Sequence, residues 1–263
     1  MRRRDLLILF AGALSPLPWS ILPVTARAQS PGAPASTPPV NVLEFEPLAQ
    51  QRLPRAAWDY LAQGAADEIT LRRNREAFDA IRLRPRVLVD VSSIDTRLEL
   101  LGQRLDVPIL VAPVAAQGRF HSGAEPEAAR GASAAGATMV ISTFASARLE
   151  DVAWAARGRA WFQLYVHRDR AITRDLVQRA ESAGCTALFD GGVRHGTDIV
   201  KALALGAQAV LIGRPPMWGR AVDGAAGVRR VIDIPRDELE AAMAMCGAPS
   251  LDRITRELVW PDR

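Results

Sequence analysis

The chain has 263 residues, 49% hydrophobic and 24% charged, with a formal net charge of +4. That composition excludes a disordered or fibrous chain and leaves enough apolar material for one large α/β domain. Arginine supplies the basic excess, since Lys201 is the only lysine, and no dense basic run interleaves with aromatics, so nucleic acid is excluded as a partner class.

In chain order, residues 1–28 have an arginine-rich start, an apolar middle broken by Pro16, Pro18 and Pro23, and small residues at Ala26 and Ala28. This reads as a signal peptide cut after Ala28, and Arg2, Arg3 and Arg4 ahead of Asp5–Leu6–Leu7 give it a twin-arginine character. An exported, periplasmic protein is expected, and twin-arginine export would suit one folded around a cofactor. Residues 29–41 are a Pro/Ala/Ser linker, and residues 42–263 are the folded domain. Cys185 and Cys246 lie far apart without metal-ligand spacing, so two buried free thiols are expected.

From Val42 to Phe78 the pattern is helical: Leu48, Leu53, Ala57, Tyr60 and Leu61 fall near one face, and Pro54 marks a break or a new start. Residues 82–102 look extended. Strands then alternate with helices. The strands are 107–115, 138–143, 160–166, 185–192 and 208–215; the helices are 125–137, 148–157, 169–184 and 196–207. Continuously apolar strands buried on both faces, joined by helices, predict parallel βαβ units. Five barrel-type strands are legible where a closed (β/α)8 barrel needs eight, and residues 216–263 read as helix and loop.

Two motifs point to a phosphate. Gly191 and Gly192 end a strand and allow backbone N–H groups to approach an anion, with Arg194 as a bidentate donor. Gly213 and Arg214 end the next strand in the same pose, and phosphate sites of (β/α) barrels lie in the loops after the last two strands. Gln163, a polar residue in an apolar strand, needs a buried partner.

The stretches LPRAAWDYLAQGAADEITLRRNREAFD, PILVAPVAAQGRFH, WFQLYVHRDR, DGGVRHGTDIVKALALGAQAVLIGRP and AGVRRVIDIPRDELEAAMAMCGAPSL resemble the FMN-dependent 2-hydroxy-acid dehydrogenases and oxidases, which include glycolate and lactate oxidases. The resemblance runs from about Val42 to the C-terminus, and APVAAQG is slightly nearer lactate oxidase. It implies an incomplete (β/α)8 TIM barrel with FMN at the C-terminal ends of its strands. Pro113, Val114 and Ala115 would lie against the flavin ring, and Ser142 and Gln163 would hydrogen-bond it. Asp190, Gly191, Gly192, Val193, Arg194, Gly213 and Arg214 would hold the phosphate end. Tyr60 and Tyr165 would face the substrate; read without the resemblance, both fit amphipathic core tyrosines. The implied partners are a small, lactate-like L-2-hydroxy acid, an electron acceptor (oxygen, quinone or cytochrome) and further copies of the chain in a homo-oligomer.

The departure from the family pattern is equally specific. Between a strand beginning like CTALF and one ending in DGGVR, the family has a strand carrying a flavin-contacting threonine, a loop with a substrate-binding arginine, a strand with a lysine near the flavin and a strand ending in the catalytic histidine region. Here the two strand pieces are joined directly, so Ala187 to Asp190 reads as a splice. No catalytic residue is retained in this reading. His121 and His167 fall in a loop and at a helix start, His195 stands where the family motif has arginine, and Lys201 belongs to the helix after the phosphate loop. Three readings follow: a 2-hydroxy-acid oxidoreductase, a flavin-binding remnant or non-functional deletion product without turnover, or an assembly protein that completes its barrel with another chain.

Overall fold

The computed structural model describes residues 38–163 and 193–260, together with Ala171, Asp175, Leu176, Gln178, Arg179 and Ser182. The expected signal peptide, Tyr165, His167, Cys185, the expected splice at 187–190, Asp190, Gly191 and Gly192 lie outside the described residues. Pro39–Arg263 forms one compact unit.

Three helices open the domain: α1 (Phe45–Arg52), α2 (Arg55–Ala62) and α3 (Ile69–Ala80). Pro54 is the N-cap of α2, with φ −55° and ψ 144°, so the proline starts a helix. α1 and α2 bury Phe45, Ala49, Ala57 and Leu61, whereas α3 buries no residue fully, with Phe78 packed partly buried against the core and Arg75 bonded to Asp198. The extended stretch includes a short antiparallel hairpin, β1 (Leu98–Leu100) with β2 (Gln103–Leu105), turned at Leu101–Gly102.

Next come β3 (Ile109–Val111), α4 (Ala124–Ala134), β4 (Thr138–Ser142), α5 (Leu149–Ala155) and β5 (Ala160–Gln163). After the region outside the description follow α6 (Gly196–Ala204), β6 (Val210–Ile212) and α7 (Arg214–Met245). The strands form one parallel sheet in the order β5-β4-β3-β6, with Leu110 opposite Thr138 and Leu211, and Val140 opposite Trp161. β6, the last described strand, pairs with β3, the first of the parallel strands, as the seam of a barrel requires. The sheet is therefore an arc of a (β/α) barrel containing four of the five expected strands; the fifth, 185–192, lies outside the described residues.

Strand alternation sorts two cores. Ile109, Val111, Met139, Ile141, Phe162, Val210 and Ile212 pack outward under the helices. Leu110, Ala112, Val140, Trp161 and Leu211 face the barrel interior and pack with Leu100 and Leu105 of the hairpin. The Trp161 indole N–H donates to Gln103 Oε1 at 2.8 Å, so the hairpin both covers the inner face and satisfies its one polar atom.

α7 is two helices joined at a kink, where Asp223 (φ −152°, ψ 41°) and Gly224 (φ 49°, ψ −133°) leave helical geometry. Its arms cross at Gly219 and Gly227 so closely that a Cβ on Gly227 would lie 1.9 Å from the Gly219 carbonyl oxygen. The C-terminal segment returns to the start of the domain, with Trp260 N donating to Arg82 O at 2.9 Å and Arg84 N to Leu258 O at 2.7 Å.

Candidate functional site

The C-terminal ends of β3, β4 and β6 open onto one cavity of about 540 Å³, within the roughly 300–1,000 Å³ typical of small-ligand pockets. Pro113, Val114 and Ala115 come from the end of β3, Ser142 from β4, Gly213 and Arg214 from the end of β6, and Arg194 from the lead into α6. Tyr60 and Leu61 of α2 and Leu71, Asn74 and Arg75 of α3 close the opposite side, with Phe144 at the rim. Eight residues singled out in the sequence, namely Tyr60, Pro113, Val114, Ala115, Ser142, Arg194, Gly213 and Arg214, thus share one cavity.

Gln163 stands beside it: it pairs with Ser142 across β4 and β5, and the Ser142 hydroxyl lies 3.4 Å from Gln163 Oε1. Val193 is in the core, 1% exposed, and its carbonyl accepts from Arg194 Nη1 at 2.8 Å. Tyr60 is half exposed and clamped in place, with Phe120 stacked at 6.1 Å between centroids and the Arg119 guanidinium 5.4 Å from the ring centroid.

Three guanidinium groups converge on the cavity. Arg194 is buried, with its guanidinium 5.1 Å from the Trp218 ring centroid. Burial pulls its pKa down to about 10, and repulsion from Arg214 and Arg75 adds to the shift. Arg214 is fixed by the C-terminal carbonyls of α2, donating from Nε to Leu61 O at 2.8 Å and from Nη2 to Gln63 O at 3.1 Å. Arg75 Nη1 donates to Asp198 Oδ2 at 2.9 Å, and the same oxygen accepts from the backbone N–H groups of Arg194 and His195 at 3.0 Å each. Asp198 therefore shapes the loop that presents Arg194. Glu46 is the other carboxyl close by; its burial raises its pKa against the pull of Arg194 and Arg214. The arginines retain attraction for an anion, and α7 begins on the cavity, adding the positive end of a helix. A Cβ on Gly213 would meet only Ala112 Cβ, at 3.6 Å, so the backbone there is open to close approach.

Arg75 was not legible as a site residue: it sits on a polar helix far in sequence from both glycine motifs. Neither described histidine lines the cavity. His121 Nδ1 accepts from Gly123 N at 3.0 Å. His195 is the N-cap of α6, and its Nδ1 lies 3.5 Å from Glu238 Oε2. Lys201 Nζ donates to Phe78 O at 2.6 Å, at the C-terminal end of α3. Cys246 is a buried free thiol.

The Glu238 carboxylate raises the pKa of His195. A histidine whose pKa rises on folding contributes stability below its unfolded value, about 6.5, and loses it as pH rises through the folded value. His195→Asn, which keeps an N-cap residue, is therefore expected to lower the melting temperature more at pH 5.5 than at pH 8.5. Equal losses at both pH values would remove the ion pair from the account.

The donor set suits a flavin mononucleotide: guanidinium groups for a phosphate, a strand-end hydroxyl and amide for a polar ring edge, and apolar and aromatic walls for its faces. Comparison with known proteins agrees. The family model for FMN-dependent dehydrogenase matches residues 49–189 and 185–261. Glycolate oxidase 3 of Oryza sativa subsp. indica is 33% identical over 353 aligned positions, covering 84% of this chain and 96% of the relative. L-lactate oxidase of Nostoc sp. is 32% identical over 356 positions, covering 84% and 98%. Among solved structures, an Arg-to-Lys mutant of flavocytochrome b2 superposes with a TM-score of 0.82 at 28% identity, covering 85% of this chain and 88% of that one. Mandelate oxidase with (S)-2-phenylpropionate gives 0.78 at 28% identity, covering 82% and 97%. With the barrel arc, the strand-end cavity and these likenesses together, the chain belongs to the FMN-dependent dehydrogenase family, a family of TIM-barrel flavoproteins acting on 2-hydroxy acids.

Proposed function

We propose that this chain is an exported FMN-binding member of its family in which oxidation of small, lactate-like L-2-hydroxy acids to 2-keto acids is strongly reduced. One observation carries the reading. The described cavity lining holds the groups suited to a flavin phosphate and ring, yet among those residues there is no imidazole and no ammonium group.

The chemistry makes that composition matter. Removing the hydroxyl proton of a 2-hydroxy acid calls for a positioned base. Fixing its carboxylate calls for a bidentate donor, and stabilising a reduced, anionic ring calls for a neighbouring cation. When bound, FMN would supply the two-electron acceptor. Pro113, Val114 and Ala115 would support its ring, Ser142 and Gln163 would bond its polar edge, and Arg194, Arg214 and the backbone at Gly213 would hold its phosphate. Tyr60 would stand at the substrate side.

We attribute the lack of a base among the described lining residues to an internal deletion, a reading that two alignments support. The family-model matches meet at residues 185–189, at the sequence splice. The rice alignment spans 353 positions but covers 84% of 263 residues, about 221, leaving roughly 130 aligned positions without a residue from this chain. Export rests on the N-terminal pattern, and an oxygen, quinone or cytochrome acceptor would suit that location.

The binding half of the proposal is tested by titrating the apoprotein with FMN and with riboflavin, following flavin fluorescence. A phosphate held by at least two charged donors should make FMN bind on the order of 100-fold more tightly than riboflavin. Equal affinities would show that the arginines do not hold the phosphate, and absence of binding to either flavin would overturn the reading.

A further inference from the structure

A buried polar network lies behind the cavity wall. Arg220, Gln117 and Glu125 are each 0% exposed. Arg220 Nη1 donates to Gln117 Oε1 at 2.6 Å and to Ala124 O at 2.9 Å, and Nη2 donates to Gln117 O. Gln117 passes this on: its Nε2 donates to Val114 O at 3.2 Å, in the cavity wall, and its backbone N to Glu125 Oε1 at 3.0 Å. Glu125 also accepts from Ser146 N, Ser146 Oγ and Ala147 N at 2.8–3.0 Å. Gly118 N donates to Ser146 Oγ at 2.7 Å, and Ala116 N to Phe144 O at 2.9 Å. The loop after β3 and the loop after β4, which supply Pro113–Ala115 and Ser142 and Phe144 to the cavity, are joined through one hub.

The hub is costly as a purely structural device. Burial pulls the Arg220 pKa down to about 10, and its Nε has no hydrogen-bond partner among the described residues. An apolar residue of similar size commonly serves stability as well as a buried charge. The loop also holds Ala116 (φ 52°) and Ala124 (φ 44°) in left-handed conformations that non-glycine residues avoid. Such a shape persists where its surroundings over-determine it, and Arg220 bonds the loop at both places, to the carbonyl of Ala124 and to the residue after Ala116.

We propose that Arg220, acting through Gln117, is a positioning residue that sets the Val114 backbone for the flavin ring. The inference rests on the FMN-binding reading and goes beyond it by assigning the ring wall to residues that do not line the cavity.

Gln117→Glu is the deciding variant. Its carboxylate still accepts from Arg220, so the buried cation stays paired, but the donor to Val114 O is lost. The expected result is an FMN dissociation constant raised at least about tenfold. The bound flavin's visible bands should shift, a readout that a change in apoprotein stability alone would not move. Arg220→Leu should weaken FMN similarly, and Arg220→Lys, a point charge without the planar fork, should fall between. If Arg220→Leu fails to fold, Gln117→Glu decides alone. Wild-type affinity and band positions in Gln117→Glu would overturn the hub while leaving the FMN reading intact. Failure of the wild-type chain to bind FMN would overturn both.

Discussion

Arg194→Met is expected to raise the FMN dissociation constant roughly 10- to 150-fold, the equivalent of about 1.5–3 kcal/mol for a hydrogen bond to a charged group. The apoprotein should be no less stable for the change, and this pairing of effects is the informative part. The Arg194 guanidinium is buried, stacked on Trp218 and repelled by Arg214 and Arg75. Its one side-chain hydrogen bond among the described residues runs back to the adjacent Val193 carbonyl. A buried cation so placed contributes little to folding, and methionine fills similar space without the desolvation cost. An anion from the cavity reverses the balance. FMN titration alongside apoprotein melting checks both halves. Lost affinity with lost stability would make Arg194 a structural residue, and unchanged affinity would remove it from the phosphate site.

Gly227→Val is expected to have the largest effect on folding. The two arms of α7 meet at Gly219 and Gly227 with backbone against backbone, and a Cβ at Gly227 would also approach the Gly219 carbonyl carbon to 2.6 Å. A carbonyl cannot rotate away as a flexible side chain does, so the arms must part. Parting them disturbs Trp218, Val228 and Val231, all within 1% of full burial, and loosens the contact with α4, where Gly131 packs under Ala225 and Val228. Overpacking of this kind costs about 1–3 kcal/mol, which for a domain of this size lowers the melting temperature by roughly 2–12 °C. The effect is read by calorimetry with and without FMN. A variant that melts like the wild type would show that the helix crossing is looser than described.

Much of the fold was legible because parallel strands buried on both faces are continuously apolar. Ile109–Val111, Thr138–Ser142 and Val210–Ile212 stand out for that reason, and the helices between them carry the usual amphipathic spacing. The ends were less legible. Residues 107–115 read as one strand, but pairing stops at Val111 and leaves Pro113–Ala115 as cavity wall. Arg214 and Pro215 read as strand, yet they form the first turn of α7, where proline is tolerated because its missing N–H has no helical acceptor. The kink at Asp223–Gly224 was not anticipated.

In the site, the glycine and arginine motifs were visible because each follows an apolar run. Arg75 and Gln117 carry no such signal. Arg75 lies in LRRNREAF among other arginines, and only tertiary folding brings it to Asp198 at 2.9 Å. Arg220 follows a tryptophan and a glycine in a helix that would place arginine on a solvated face by composition alone; burial and three carbonyl-directed bonds distinguish it. Such residues are defined by partners distant in sequence, and local pattern does not encode those partners.

The central claim is that the flavin site persists without the proton acceptor that gives it turnover. The most direct measurement loads the chain with FMN, adds L-lactate under argon and follows the visible flavin band. Loss of a general base alone lowers rate by about 10²–10⁴-fold. The account therefore predicts a yellow protein whose band persists long after an intact family member would have bleached. Rapid bleaching at a rate typical of the family's oxidases would contradict it.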